Sequence, residues 1–229
     1  MVSLLGENVS LQHNLVAQDI TTSGMYRKSW VRIDSLYLYK SDRTNDFANT
    51  KAEYDVSCLL DCSNVKHVRY ELVEFEGLAC CRCKCISDDD VSLVDAEYIK
   101  QWCAHMKKDF LSFVRATCLS DFAKMVVVDY VFANTDRHIN NWGFLVSNDS
   151  NEIIGMAPLF DHNQALLAIE LGNSIDDLVY EPTGKSMLES AMDYFPFSEI
   201  EFCTLPARYE KRLHRLQRSS ANLSTLSAF

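Results

Sequence analysis

Residues 129–161, DYVFANTDRHINNWGFLVSNDSNEIIGMAPLFD, constrain this chain more than any other stretch. Asp136, Arg137, His138 and Asn141 fall within six residues, and a second carboxylate, Asp161, follows twenty residues after Asn141. Between them lie two short apolar runs, WGFLV and IIGMA, joined by the polar turn Ser147-Asn148-Asp149-Ser150-Asn151. That pattern reads as a β-hairpin, which makes Asp161 the partner of Asn141 across it. A carboxylate, an amide five positions later and a carboxylate across a hairpin are the donors that phosphoryl transfer from a metal nucleotide requires. One group orients the acceptor hydroxyl, and two oxygen ligands hold Mg²⁺ on the phosphates.

Each residue has a plainer reading when taken alone. Asp136 at a helix end could be a cap, Asn141 a turn former, and Asp161 the cap of a following helix. The D-x-x-x-x-N spacing followed by a strand distinguishes the set, because a catalytic loop uses it to place a base beside a metal-binding amide.

The rest of the chain must supply a nucleotide site. Residues 28–33 and 36–40, KSWVRI and LYLYK, read as strands around the turn Asp34-Ser35. The run KAEYDVSCLLD places Ala52, Val56, Leu59 and Leu60 at helical spacing, so one face is buried. Two more strands, VRYELVEF and LACCRCKCI, meet at Glu76-Gly77. Residues 1 to about 20 read as an arm or a first strand. After the polar hinge Ser87-Asp88-Asp89-Asp90 the pattern turns helical, from about Asp95 to Ala116 and from Ser120 to Ala133. Further helices are expected around Ile175–Val179, Gly184–Tyr194 and Phe197–Arg218, with Pro206 as a break in the last and a frayed tail beyond. The expected fold class is α+β: a bilobal, protein-kinase-like arrangement with a β-rich N-lobe over residues 1–86 and a helical C-lobe over 87–229.

Lys40 ends a strand and precedes Glu53, on the next helix, by thirteen positions. A strand lysine held by a helix glutamate is the ion pair that reaches nucleotide phosphates in kinases, with Asp55 as the competing carboxylate. Ser23-Gly24-Met25-Tyr26-Arg27-Lys28 matches no glycine-rich phosphate motif, yet one glycine followed by two cations can fold over phosphates. An ordinary turn is the equal alternative. The cluster Cys80-Cys81-Arg82-Cys83-Lys84-Cys85 lacks a second pair at metal-site spacing, so alternating small apolar side chains explain it better than zinc.

Composition narrows the partners. A net charge of −10 speaks against direct nucleic-acid binding, which draws on clustered Lys and Arg. No apolar run is long enough to span a bilayer, and nine cysteines without a signal segment read as reduced thiols, so a cytoplasmic location is expected.

With these residues in place the chain resembles the HipA-like kinases, toxin-type serine/threonine kinases related to the protein-kinase and phosphoinositide-kinase folds. The resemblance runs from about Thr22 to Arg218 and is carried most specifically by NTDRHINN and APLFD. It implies ATP and Mg²⁺ as cofactors, a protein Ser/Thr acceptor, autophosphorylation, and an antitoxin or regulator as partner. Position by position it implies Asp136 as base, with Asn141 and Asp161 on Mg²⁺ and Lys40, paired with Glu53, on phosphate. Ser23, Gly24 and Lys28 would cover the phosphates, Lys84, Cys85 and Ile86 would flank adenine, and His138 matches a nucleotide contact. Arg137 departs from the pattern, standing where many members have Gly. DRHINN also resembles the catalytic loop of phosphoinositide kinases, in which the histidine is assigned a base-like role. Asp136 and His138 therefore both stand as the base, and a phosphoinositide or small molecule stands as the alternative acceptor. A nucleotide-binding module without turnover is the alternative outside enzymes.

Overall fold

The computed structural model describes residues 15–18, 27–42 and 47–226. Strands β1 (Leu15–Gln18), β2 (Arg27–Arg32) and β3 (Leu36–Ser41) precede helix α1 (Ala48–Leu60), which β4 (Glu71–Phe75) and β5 (Leu78–Lys84) follow. These strands form one antiparallel sheet in the order β1-β2-β3-β5-β4, and α1 packs on β5 and β4. The β4–β5 turn places Glu76 and Gly77 at φ 51° and 76°, a left-handed pair that suits a tight hairpin and explains the glycine.

The start of α1 is fastened to the strand that carries Lys40. Phe47, at the N-cap position, gives the helix no side-chain cap. The Asp42 carboxylate takes that role from the end of β3, accepting from the Asn49 and Thr50 amides at 3.1 and 2.8 Å. Satisfying these orphan amides fixes α1 beside β3. At the other end Ser57 Oγ accepts from the buried Tyr70 amide at 3.1 Å.

Strand β6 (Val91–Asp95) comes next, then α2 (Ala96–His105), α3 (Phe110–Val131), β7 (Gly143–Ser147) and β8 (Ile153–Met156). β6, β7 and β8 make a second sheet, whose β7–β8 hairpin encloses the polar turn. Gly143 faces Asp95 in register, and a Cβ there would lie 2.3 Å from the Val94 carbonyl oxygen. Only glycine lets β7 approach β6 so closely. α3 is almost wholly apolar and buried from Met125 to Val131, and packs against α2, β8, α5 (Met187–Ser198) and α6 (Ala207–Leu226). The short α4 (Leu167–Glu170) and the hairpin of β9 (Val179–Tyr180) and β10 (Lys185–Ser186) lie between Asp161 and α5. Among the described residues no helix is long and apolar enough to cross a membrane.

Several expected boundaries are corrected. The helix expected from about Asp95 begins at Ala96, and the unassigned residues before it form a strand, because VSLVD finds a partner in β7, about fifty residues on. The helix break falls at Met106–Asp109, where Lys107 has φ 55° and Asp109 caps α3 through the Ser112 amide at 2.7 Å. α3 then runs through the expected gap at 117–119, with only Cys118 leaving helical geometry. Ile175–Val179 is not helical: Leu178 closes a turn on Ile175, and Val179 begins β9. α5 starts at Met187 behind a Ser186–Glu189 capping box and continues through Pro196. Pro206 precedes α6 rather than dividing it, and the helix reaches Leu226 where a frayed tail was expected.

Two of the joints between the halves place Asp161. Val68 donates to the Leu159 carbonyl at 2.8 Å and Leu159 to that of Lys66 at 2.9 Å, a short parallel bridge. Phe160 inserts into the apolar cluster of Val68, Tyr70, Cys81 and Cys83. The next residue, Asp161, is thereby carried to Lys40. The cysteines alternate as expected: Cys81 and Cys83 fill this cluster, and Cys80 fills another with Val31, Tyr39, Val73 and Phe75.

Candidate active site

Lys40 is the hub. Its ammonium lies 2.9 and 3.2 Å from the two oxygens of Glu53 and 3.0 Å from Asp161 Oδ1. Burial alone would pull Lys40 down, but Asp161 and Glu53 outweigh it and hold the ammonium well above its ordinary value. Asp161 answers in kind: burial pushes it up, and the charge and hydrogen bond of Lys40 bring it below the usual carboxylate range. Asp55, the competitor for Glu53, points elsewhere on α1 and pairs with Lys51.

Lys40 and Asp161 form one wall of a cavity of about 350 Å³. Lys28, opposite Lys40 in the β2–β3 register, is on the same wall. Burial and the charge of Lys40 lower Lys28, while Asp161 and Glu53 counter that repulsion. Trp30, Leu38, Val68, Tyr70 and Phe160 supply apolar surface, and Lys84, Cys85, Ile86 and Ser87 form the edge between the two sheets. Ser23 and Gly24 of the proposed phosphate loop lie outside the described residues.

The loop after α3 ends in the same place. His138 N–H donates to the Asp136 carbonyl at 2.9 Å, and Asn141 N–H to that of His138 at 2.9 Å. The Asn141 side-chain nitrogen also donates to the Asp136 carbonyl, at 3.0 Å, which leaves its amide oxygen for another partner. Asn141 and Asp161 both line the cavity; Asp136 and His138 do not. The Asp136 side chain is exposed, and partial burial raises its pKa, Asp161 adding to the rise and His138 opposing it. The Asn140 amide donates to His138 Nδ1 at 3.3 Å, which puts the proton of the neutral ring on Nε2.

Arg137 holds this loop to the Asp161 segment. It is 2 % exposed and uses all five of its N–H groups. Two go to Asp129, at 2.9 and 3.0 Å, and one to His162 Nε2 at 3.0 Å. The last two go to the carbonyls of Asn141 and Phe160, at 2.5 and 2.6 Å. Asp129 also accepts from Asn134 at 2.8 Å and from the Tyr180 hydroxyl at 2.6 Å. One guanidinium thus fixes the backbone on which Asn141 sits and the backbone that enters Asp161. Burial and the Arg137 charge drive His162 well below the ordinary histidine value, so it stays a neutral acceptor. Asp161 itself has φ 61°, a left-handed conformation that a non-glycine residue adopts only when its surroundings impose it.

Sequence reasoning treated Arg137 as a departure from a pattern and overlooked Asp129, His162, Asn163 and Asp95. A signal for the first pair was present: Asp129 interrupts the apolar run VVVDYVF, and a buried acid there demands a cation nearby. Asp95 lines the cavity at the β6–α2 junction, with burial raising its pKa; taken only as a helix start, it was not weighed as a site residue.

The donors fit the groups that such a fold implies. Asn141 and Asp161 offer oxygen ligands suited to a hard cation such as Mg²⁺, and Lys28 and Lys40 line the same space, which is large enough for a nucleotide. The arrangement is that of a kinase-like fold with a cleft lined by Lys28, Lys40, Asn141 and Asp161. The sequence model of phosphatidylinositol 3- and 4-kinases matches residues 16–201, and the chain belongs to that family. No curated protein matches the sequence. Among solved structures the chain is similar to a Helicobacter pylori proinflammatory kinase, CtkA, with a TM-score of 0.62 and 17% identity. That similarity covers 88% of this chain and 89% of the other, and it shows the shared kinase fold.

Proposed function

We propose that the chain is an ATP- and Mg²⁺-dependent kinase of HipA-like type that phosphorylates Ser or Thr of a protein, itself included. An antitoxin or other regulator belongs to the same reading as a partner. The observation that carries it is the Lys40 ammonium within 3.0 Å of both Glu53 and Asp161, on the wall of a cavity that Asn141 also lines.

In this reading Glu53 keeps Lys40 charged and aimed, and Lys40 with Lys28 binds phosphate oxygens. The edge from Lys84 to Ile86 holds the base, and the Asp95 carboxylate accepts from sugar hydroxyls. Asn141 and Asp161 would hold Mg²⁺, which supplies charge neutralisation across the phosphates when bound. Asp136 orients the acceptor hydroxyl and takes its proton as the new O–P bond forms and the bond from the γ-phosphorus to the β–γ bridging oxygen breaks, releasing ADP. Its raised pKa makes it a better base near neutrality than an ordinary carboxylate. His138, with Nδ1 occupied by a backbone N–H, is the weaker candidate for the base.

Family membership favours a second acceptor, an inositol lipid. Charge near the loop supports the protein acceptor instead. Between Asp161 and α5, Glu170, Asp177 and Glu181 are exposed, and Lys185 is paired with Asp193. Glu181 also accepts from the Ile139 amide at 3.0 Å, in the catalytic loop itself. An anionic headgroup meets repulsion there; a Ser or Thr flanked by cations does not.

The test offers labelled ATP with Mg²⁺, a protein mixture and phosphoinositide vesicles to the wild type and to Asp136→Asn. Label on Ser or Thr is expected for the wild type, with transfer reduced about 10²–10⁴-fold in the variant and nucleotide binding retained. Label on lipid alone overturns the acceptor, and no label anywhere overturns the kinase.

A further inference from the structure

Asn163, two residues after Asp161, is 6 % exposed. Its side-chain nitrogen donates to Asp161 Oδ1 at 3.0 Å, the same oxygen that takes the Lys40 ammonium at 3.0 Å. Its amide oxygen is buried and has no hydrogen-bond partner among the described residues. An apolar side chain of similar size would spare the fold that unmet acceptor, so stability alone does not account for an amide here. What the amide does provide is a bond to the carboxylate facing the cavity.

Two donors on Oδ1 leave Oδ2 as the Asp161 atom open to a cation. They do not stay equivalent once a nucleotide enters. Lys40 turns part of its bonding to phosphate oxygens, and Asn163 is then the neutral donor still fixed on Oδ1. The left-handed backbone of Asp161, at φ 61°, adds to the need for a side-chain clamp.

We propose that Asn163 is a positioning residue for the metal-binding carboxylate, holding Asp161 Oδ1 so that Oδ2 is presented to the cation. This rests on the kinase reading above. Outer-shell donors of this kind set ligand orientation, and their loss weakens metal binding about ten- to a hundredfold.

The experiment titrates Mn²⁺, followed by electron paramagnetic resonance, into protein saturated with a non-hydrolysable ATP analogue. Wild type, Asn163→Leu and Asn163→Ala are compared, with melting curves and metal-free binding of the analogue as controls. The expected result is Mn²⁺ affinity lowered about ten- to a hundredfold in both variants. Metal-free affinity should be unchanged, and Asn163→Leu should melt no lower than wild type. Unchanged Mn²⁺ affinity overturns the proposal. A parallel loss of metal-free binding in both variants overturns it too, since that marks damage to the fold. A wild type that takes up no Mn²⁺ with the analogue overturns the kinase reading itself, and this inference with it.

Discussion

Two buried ion clusters lie side by side in this molecule, and they are built to opposite ends. Around Arg137, every guanidinium N–H has a partner and Asp129 accepts from three different residues. Around Lys40, one ammonium on a cavity wall serves two carboxylates, and the Asp161 side chain keeps 15% of its surface exposed. The closed cluster has nothing to exchange and holds backbone in place. The open one is satisfied for now, in a form that a phosphate and a cation can take over. Buried charge is expensive in both places, so what separates scaffold from site is whether the partners are final.

Breaking the closed cluster should have the largest effect. Arg137→Leu strands the Asp129 charge and two loop carbonyls, and should cost about 3–5 kcal/mol of stability, read by urea unfolding. Nucleotide binding should fall with it, because Asn141 and Asp161 lose their common anchor. A loss under about 1 kcal/mol would mean that the guanidinium is not the clamp described above.

A paired replacement sharpens the contrast. Lys40→Met with Glu53→Leu removes charge from the open cluster on both sides and leaves Asp161 to solvent and Lys28. Replacing a buried pair by apolar groups is often neutral, or stabilising by about 1–4 kcal/mol, so this protein should fold normally and bind no nucleotide. Arg137→Leu with Asp129→Leu should not recover in the same way, since the carbonyls of Asn141 and Phe160 stay unpaired. Equal melting of the two double variants would erase the distinction.

The open cluster was legible in the sequence and the closed one was not. Lys40 and Glu53 lie on a strand and a helix whose periods are written in LYLYK and KAEYDVSCLLD, and one turn of helix narrows the partner to Glu53 or Asp55. Which of the two faces inward follows from packing: Glu53 is 1 % exposed, whereas Asp55 makes an i,i+4 pair with Lys51 at the surface. Asn141 and Asp161 were found because a hairpin returns the chain on itself within twenty residues. Arg137 draws its role from Asp129, His162, Tyr180 and two carbonyls, brought together by a helix, a loop and the β9 strand. No local period encodes that convergence. Strand β6 failed for a related reason. VSLVD runs into AEYIKQW without a Gly or Pro, and only its pairing with distant β7 makes it a strand.

The smallest expected effect separates the clusters by pH. His162 is held well below its ordinary value of 6.5 by burial and by Arg137, so the folded state stays neutral while the unfolded chain takes up a proton. Stability from this group is therefore full above the unfolded pKa and is lost as pH falls below it. Between about pH 6.5 and 5.5 the loss should be about 1 kcal/mol. His162→Gln keeps an acceptor for the Arg137 N–H and does not titrate, so its melting temperature should be flatter over that interval. Asp161, depressed by Lys40, acts by the same rule in a lower window. Its contribution is full above the ordinary carboxylate value of 3.8 and disappears as pH falls through its folded value, a loss that His162→Gln leaves in place. If the variant and wild type instead lose stability in parallel from pH 6.5 to 5.5, His162 is not the neutral acceptor that closes the Arg137 cluster.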